Sequence, residues 1–271
     1  MSKDSHIEWT DHTFNIVHGC TKVSEACQFC YAELWDRRQL YSDELHWGPN
    51  ASRLKMSEEY WKQPLSWNRA AARQGRCTKV FCSSMADVFE DHADVRAEQP
   101  KLWKLIEQTP NLIWQLLTKR PENVMAMVPE SWRAGFPPNV WMMTSTENQQ
   151  RFNERVGHLK KVPAIVLGFS CEPLLSTIEI GDAVHGVDPK KLWFIAGGES
   201  SKSPEKCRLS RHEWFAALRD QCQLRGIAYF FKQWGNRHEE GMFTKDKSYR
   251  LLDGREWNEF PDVGLRAAPI S

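Results

Sequence analysis

An α/β fold built on a parallel sheet, curled into a partial or complete barrel, is what this sequence predicts, and three observations predict it. After residue 75, short apolar runs alternate with longer segments of helical periodicity. The runs are rich in branched and aromatic residues without an in-out alternation, as in strands buried on both faces. Polar residues gather directly after the runs, at the carboxyl ends of the strands, where barrels and open α/β sheets alike carry their sites.

The first strand is read at 14–17 (FNIV). Six more follow at 80–82 (VFC), 112–117 (LIWQLL), 140–143 (VWMM), 164–169 (AIVLGF), 192–196 (LWFIA) and 227–231 (IAYFF). Between them, 100–108 (PKLWKLIEQ) and 211–225 (RHEWFAALRDQCQLR) repeat apolar residues every three or four positions, as amphipathic helices do. Repeated strand–helix units imply right-handed crossovers and parallel pairing. No G-x-G-x-x-G follows the first strand, so a barrel fits better than a dinucleotide-binding sheet. Residues 35–75, with Gly48-Pro49-Asn50 and an aromatic stretch at 61–67, read as a long inserted first crossover and a candidate lid. Residues 236–271 read as an irregular tail, and the whole of 1–271 as one domain.

Composition excludes some classes. No stretch approaches the roughly 18 apolar residues of a membrane span, and the start MSKDSHIEWT has no apolar signal core, so a cytoplasmic chain without a membrane partner is expected. A net charge of +1 supplies no global pull towards nucleic acid or acidic partners. The thirteen tryptophans are expected mainly in core and interface, with some free to stack on a ligand.

Eight cysteines in an unexported chain point to thiols, metal or catalysis rather than disulfides. Cys77, Cys82, Cys171, Cys207 and Cys222 are scattered and read as small buried apolar residues. Cys20, Cys27 and Cys30 lie together in HGCTKVSEACQFCY, spaced Cys-x6-Cys-x2-Cys. In a zinc reading, His18 completes a four-ligand site. In a [4Fe–4S] reading, three irons are held and the fourth stays open. Three unrelated thiols in a turn are the bland alternative.

The segment resembles the cluster loop of radical S-adenosylmethionine enzymes, in which three cysteines follow the first strand of a partial α/β barrel. Cys27-Gln28-Phe29-Cys30 matches their C-x-aromatic-C arrangement, with Phe29 as the aromatic residue; the first gap is six residues where three is usual. More specifically, GCTKVSEACQFCYAE, LLTKRPEN, STENQ, FSCEPLL, FIAGGES and DQCQLRGIAYFFKQWG resemble a phage and prophage family of three-cysteine proteins whose reaction is unknown. The resemblance implies a [4Fe–4S] cluster on Cys20, Cys27 and Cys30, with S-adenosylmethionine chelating the open iron. It also implies an electron donor such as a flavodoxin or ferredoxin, and a 5′-deoxyadenosyl radical that abstracts hydrogen.

Further candidates lie at the strand ends. Gly197-Gly198-Glu199 is similar to the superfamily's Gly-Gly-Glu element, which grips the methionyl ammonium; Ser83, Ser84 and Asp87, after the second strand, are the alternative. Ser145, Glu147 and Asn148 are placed to bind ribose hydroxyls. Glu172 is either functional or paired with one of Lys119, Arg120 and Lys232, because a buried carboxylate needs a partner. Cys171 is a candidate hydrogen-atom donor, or simply a packed thiol. Lys119, Arg208, Arg211 and Lys232 are candidate contacts to a nucleic acid or nucleotide. Residues 201–237 are strongly basic, with Trp214, Tyr229, Phe230, Phe231 and Trp234 interleaved. This is either a phosphate- and base-binding surface or a solvated helix face beside a buried strand. The competing functions are a zinc-stabilised nucleic-acid-binding protein without redox chemistry and an α/β hydrolase, for which no nucleophile–base pair stands out.

Overall fold

The computed structural model describes residues 5–38, 44–200, 207–237 and 250–265. Seven strands form one parallel sheet: β1 His12–Phe14, β2 Thr78–Cys82, β3 Leu112–Thr118, β4 Val140–Ser145, β5 Val166–Cys171, β6 Leu192–Gly197 and β7 Ala228–Gln233. Their order in space is their order in the chain. Right-handed crossovers that always advance in one direction leave their helices on one face. The sheet curls with its other face inward, and since β1 and β7 do not pair among the described residues, the result is a half-barrel. The α/β partial barrel expected from the sequence is the fold that forms.

The helices are α1 Tyr31–Asp36, α2 Gln63–Gln74, α3 Ala93–Glu107, α4 Gln149–Leu159 and α5 His212–Arg225. Side chains alternate across each strand with period two. Along β3, Leu112, Trp114 and Leu116 join the large core, while Ile113 joins a second cluster. Along β6, Trp193 and Ile195 join that second cluster and Leu192, Phe194 and Ala196 the first. Trp193 meets Trp9 at 6.2 Å and Trp141 at 5.7 Å, both edge to face, a geometry aromatic pairs favour. Most of the tryptophans the structure describes are thus packing residues, as expected. Trp61 and Trp67 are among them, so the 61–67 stretch is core and not lid.

Three boundaries differ from expectation for local reasons. The first strand ends at Phe14, because the buried Asn15 leaves the ladder: its N–H donates to Tyr60 Oη at 2.9 Å and its Oδ1 accepts from the Met85 N–H at 2.7 Å. Val17–His18 then pairs antiparallel with Leu54–Lys55. Helix α3 starts seven residues before Pro100, capped by His92, whose ring accepts from the Asp94 N–H. Its first two turns bury little besides Val95 and Gln99, which hid them from a periodicity reading. Strand β5 begins at Val166 rather than 164. At the far edge, the tail is ordered where it touches β7: the Phe231 N–H donates to Trp257 O at 2.9 Å and the Glu259 N–H to Tyr229 O at 3.2 Å. An edge strand that would otherwise expose its ladder is thereby covered. No described helix is long and apolar enough to cross a membrane.

Candidate active site

Beyond β1 the chain turns into His18-Gly19-Cys20. Gly19 has φ +114°, and a Cβ there would lie 2.2 Å from His46 O, so only glycine fits. From this turn the loop carries Cys20, Cys27 and Cys30 to the carboxyl ends of the strands. All three are free thiols, partly exposed, and line one cavity of about 490 Å³.

A buried charge network fixes the loop. Asp87 accepts from Thr118 Oγ1 (2.7 Å), the Lys119 N–H (3.0 Å), the Phe89 N–H (3.0 Å) and Arg120 Nη1 (2.9 Å). Glu90 accepts from the Thr21 N–H at 2.9 Å, from Arg53 Nη2 at 3.0 Å and from Arg120 Nη2 at 3.4 Å. Arg120 Nη2 also donates to Thr21 O at 2.7 Å, and Arg53 Nη2 to Thr21 Oγ1 at 3.0 Å. Arg53, Arg120 and Glu90 therefore clasp the residue that follows Cys20, and Asp87 holds Arg120 in place. Neither Arg53 nor Glu90 stood out in the sequence, where each is a lone charged residue without a motif.

The three thiols sit in different fields. Burial pushes Cys20 up to about 12, Asp87 adding to the rise and Arg120 opposing it; Arg120 Nη1 lies 3.9 Å from its Sγ. Burial also works to raise Cys27, but the Lys119 ammonium, the Val23 and Ser24 N–H groups and the Ser24 hydroxyl more than reverse it, so this thiol ionises below its ordinary range. Cys30 is raised by burial, with the Glu33 N–H and Lys119 opposing.

His18 is not a fourth member. It is buried, does not line the cavity, and is pushed down to about 4 by burial, with the Asp36 carboxylate opposing that fall and His46 adding to it. Among the described residues no three His, Cys, Asp or Glu side chains converge tightly enough to hold a single metal ion. The three ligand sulfurs of a cubane cluster stand farther apart than the ligands of one metal ion, and Cys20, Cys27 and Cys30 line one cavity.

The cavity floor is polar. Lys232 pairs with Glu172 at 2.7 Å, Ser170 Oγ donates to Glu172 Oε1 at 3.3 Å, and Lys119 Nζ donates to Ser145 Oγ at 3.2 Å; all of these line the cavity, with Ser83 and Asp87. Glu172 draws the Lys232 ammonium upward against the effect of burial. Of the three partners expected for Glu172, it takes Lys232. The rim is aromatic: Tyr31, Trp35 and Trp47 line the mouth, with Tyr31 48% and Trp35 43% exposed. Tyr31 Oη donates to Ser84 O at 2.7 Å, tying the cysteine loop to the end of β2.

Other candidates lie off the cavity lining. Glu199 is buried and held by Arg208, whose Nε (2.9 Å) and backbone N–H (2.8 Å) donate to Oε2. Arg208 also donates to Glu25 O at 2.9 Å and sits over the Phe29 ring, so Glu199, Arg208 and Phe29 form a clamp on the loop. A Cβ on Gly198 would lie 1.9 Å from Trp234 O, whereas one on Gly197 would make ordinary 3.5 Å contacts with Glu172 and Lys232. Gly198 is thus required by close backbone approach between the ends of β6 and β7. Glu147 is fully buried and paired with Arg155 at 2.8 Å; Asn148 caps α4 by accepting from the Arg151 N–H. Cys171 is buried in the core, 3.3 Å from Thr146 Oγ1.

Of the two readings of 201–237, the described residues do not present the interleaved aromatic rings to solvent. Tyr229, Phe230 and Phe231 are core residues, Trp234 packs on Phe215, and Arg219 pairs with Asp220 and Asp253. The bland alternative, a solvated helix face beside a buried strand, describes the segment. Arg211 is exposed over Trp214, away from the cavity. Lys202 and Lys206 lie outside the described residues.

A family model described as "Protein of unknown function (DUF5131)" matches residues 4–261. Comparison with curated proteins finds no match. Among solved structures, the chain is similar to a mutant spore photoproduct lyase with bound AdoMet and dinucleoside spore photoproduct, with TM-score 0.48 and 13% identity over 69% of this chain and 56% of that one. It is also similar to spore photoproduct lyase complexed with dinucleoside spore photoproduct, with TM-score 0.45 and 13% identity over 67% and 54%. This chain spans little more than half the length of the lyase.

Proposed function

The chain belongs to the DUF5131 family of proteins of unknown function, and for it we propose a radical S-adenosylmethionine enzyme acting on a nucleic acid or nucleotide, of the three-cysteine phage and prophage type. The observation that carries this reading is the common wall formed by Cys20, Cys27 and Cys30 at the carboxyl ends of parallel strands. The chemistry that a [4Fe–4S] cluster and S-adenosylmethionine supply when bound is one-electron cleavage of a sulfonium C–S bond and hydrogen-atom abstraction from an unactivated C–H bond.

The chain's own residues divide the remaining work. Cys20, Cys27 and Cys30 are the cluster ligands. The Asp87–Arg120–Glu90–Arg53 network and the Glu199–Arg208 clamp hold the loop from two sides. Asp87 accepts four donors on its two oxygens, which fills its lone pairs, and Glu199 accepts three from Arg208. Glu172 lines the cavity and keeps lone pairs to offer. With Lys232 beside it, it presents a carboxylate and an ammonium to the two charges of an amino-acid end. Ser83 and Ser145 line the cavity and are placed for hydroxyl contacts. Tyr31, Trp35 and Trp47 suit a planar base, because stacking on exposed aromatic rings tolerates any base.

Anaerobically purified protein is expected to be brown, with iron and inorganic sulfide. With reductant and S-adenosylmethionine it should release 5′-deoxyadenosine, and Cys27→Ala should abolish that release. Colourless protein holding one zinc would overturn the reading in favour of the binding module.

A further inference from the structure

Consecutive residues leaving a strand point to opposite sides, and at the end of β3 the two that do so are Lys119 and Arg120. Arg120 reaches Cys20, with Nη1 3.9 Å from the sulfur. Lys119 lies on the cavity wall with the other two cysteines. Its backbone N–H is pinned by Asp87 at 3.0 Å, its Nζ is tethered to Ser145 Oγ at 3.2 Å, and it lines the same cavity wall as Cys27 and Cys30. We propose that Lys119 is a potential-setting residue for the iron–sulfur cluster, supplying a cation on the wall that carries Cys27 and Cys30.

The physical reason is charge. A cluster on three thiolates becomes more negative by one unit when it accepts an electron, so a fixed cation on the same wall stabilises the reduced form over the oxidised one. Hydrogen bonds to ligand sulfurs act in the same direction, and Cys20 receives one from Arg120. The Lys119 ammonium is itself stabilised by Cys27, Glu147 and Cys30 against the opposing effect of burial. Glu147 is neutralised in turn by Arg155, so the positive charge of Lys119 is not cancelled from behind. Nothing in this geometry requires Lys119 to touch a substrate.

The inference rests on the cluster reading, and the experiment separates the two. Full-length protein is loaded anaerobically, its iron and sulfide are measured, and the cluster potential is titrated by electron paramagnetic resonance without S-adenosylmethionine. In Lys119→Met the reduction equilibrium should fall at least tenfold, which for one electron is a shift of about 59 mV to lower potential. Lys119→Arg, keeping the charge, should recover most of the shift; Lys119→Gln serves if the methionine variant does not fold. Loaded variants whose potential matches wild type would overturn the inference while leaving the cluster reading standing. So would an unmoved potential combined with weaker S-adenosylmethionine binding, which would make Lys119 a ligand-binding residue. Wild-type protein without iron and sulfide would sink the cluster reading and this inference with it.

Discussion

Arg120 joins more of the site than any cysteine does. It pairs with Asp87 and Glu90, donates to Thr21 O, and approaches Cys20. Removing one partner of a buried ion pair leaves an uncompensated charge and costs about 3–5 kcal/mol. Arg120→Met is expected to lose stability on that order in urea unfolding and to retain less iron at equal protein concentration. Glu147 supplies a pH signature. Burial works to raise its carboxyl, and Lys119 and Arg155 outweigh burial to hold it below the ordinary value of 4.5. The folded chain thus gives up this proton at lower pH than the unfolded chain does. The resulting stability is fully present above 4.5 and is lost as pH falls through the folded value. Glu147→Gln should be less stable at neutral pH and should show a flatter acid limb in thermal melts. The cysteine triad was legible because its spacing is itself the chemistry. Arg53 and Glu90 were not, since a charged residue in a loop looks the same whether it is solvated or sealed inside a network.

The strands were legible as elements because each is a run buried on both faces, and only their ends were misread. Asn15 ended β1 early through side-chain bonds to segments 45 and 70 residues away, which no local pattern carries. The first half of α3 was missed because it buries few side chains. The Gly-Gly-Glu turn after β6 was found for its likeness to a ligand-binding element; in the fold Gly198 meets Trp234 O and Glu199 pairs with Arg208. Gly198→Ala should force the ends of β6 and β7 apart and lower stability by roughly 1–3 kcal/mol, as overpacking does. Gly197→Ala, facing ordinary contacts, should stay within about 1 kcal/mol of wild type. Equal effects in paired thermal melts would refute the assignment of the close approach to Gly198 alone.

At the scale of the whole molecule, the half-barrel has two unpaired margins, and the tail covers one of them. The backbone of Trp257 and Glu259 bonds to β7, and Glu259 O accepts from Trp193 Nε1 at 2.9 Å. A chain ending at residue 249 should therefore expose a strand edge and associate, visible as high-mass species in size-exclusion chromatography. A monodisperse truncated monomer would show the edge to be protected by other means. The barrel class was readable from strand–helix alternation. The cover on its edge was not, because an irregular segment declares its partner only after the sheet exists.

The cysteine loop occupies the beginning of the chain, yet the groups that fasten it come much later: Arg120 contacts Thr21 across 99 residues and Arg208 contacts Glu25 across 183. During synthesis the three thiols leave the ribosome well before either fastener has been translated. Fastening of the loop is consequently a late event in the life of the polypeptide, and a nascent chain stalled short of Arg208 carries its three thiols without that clamp.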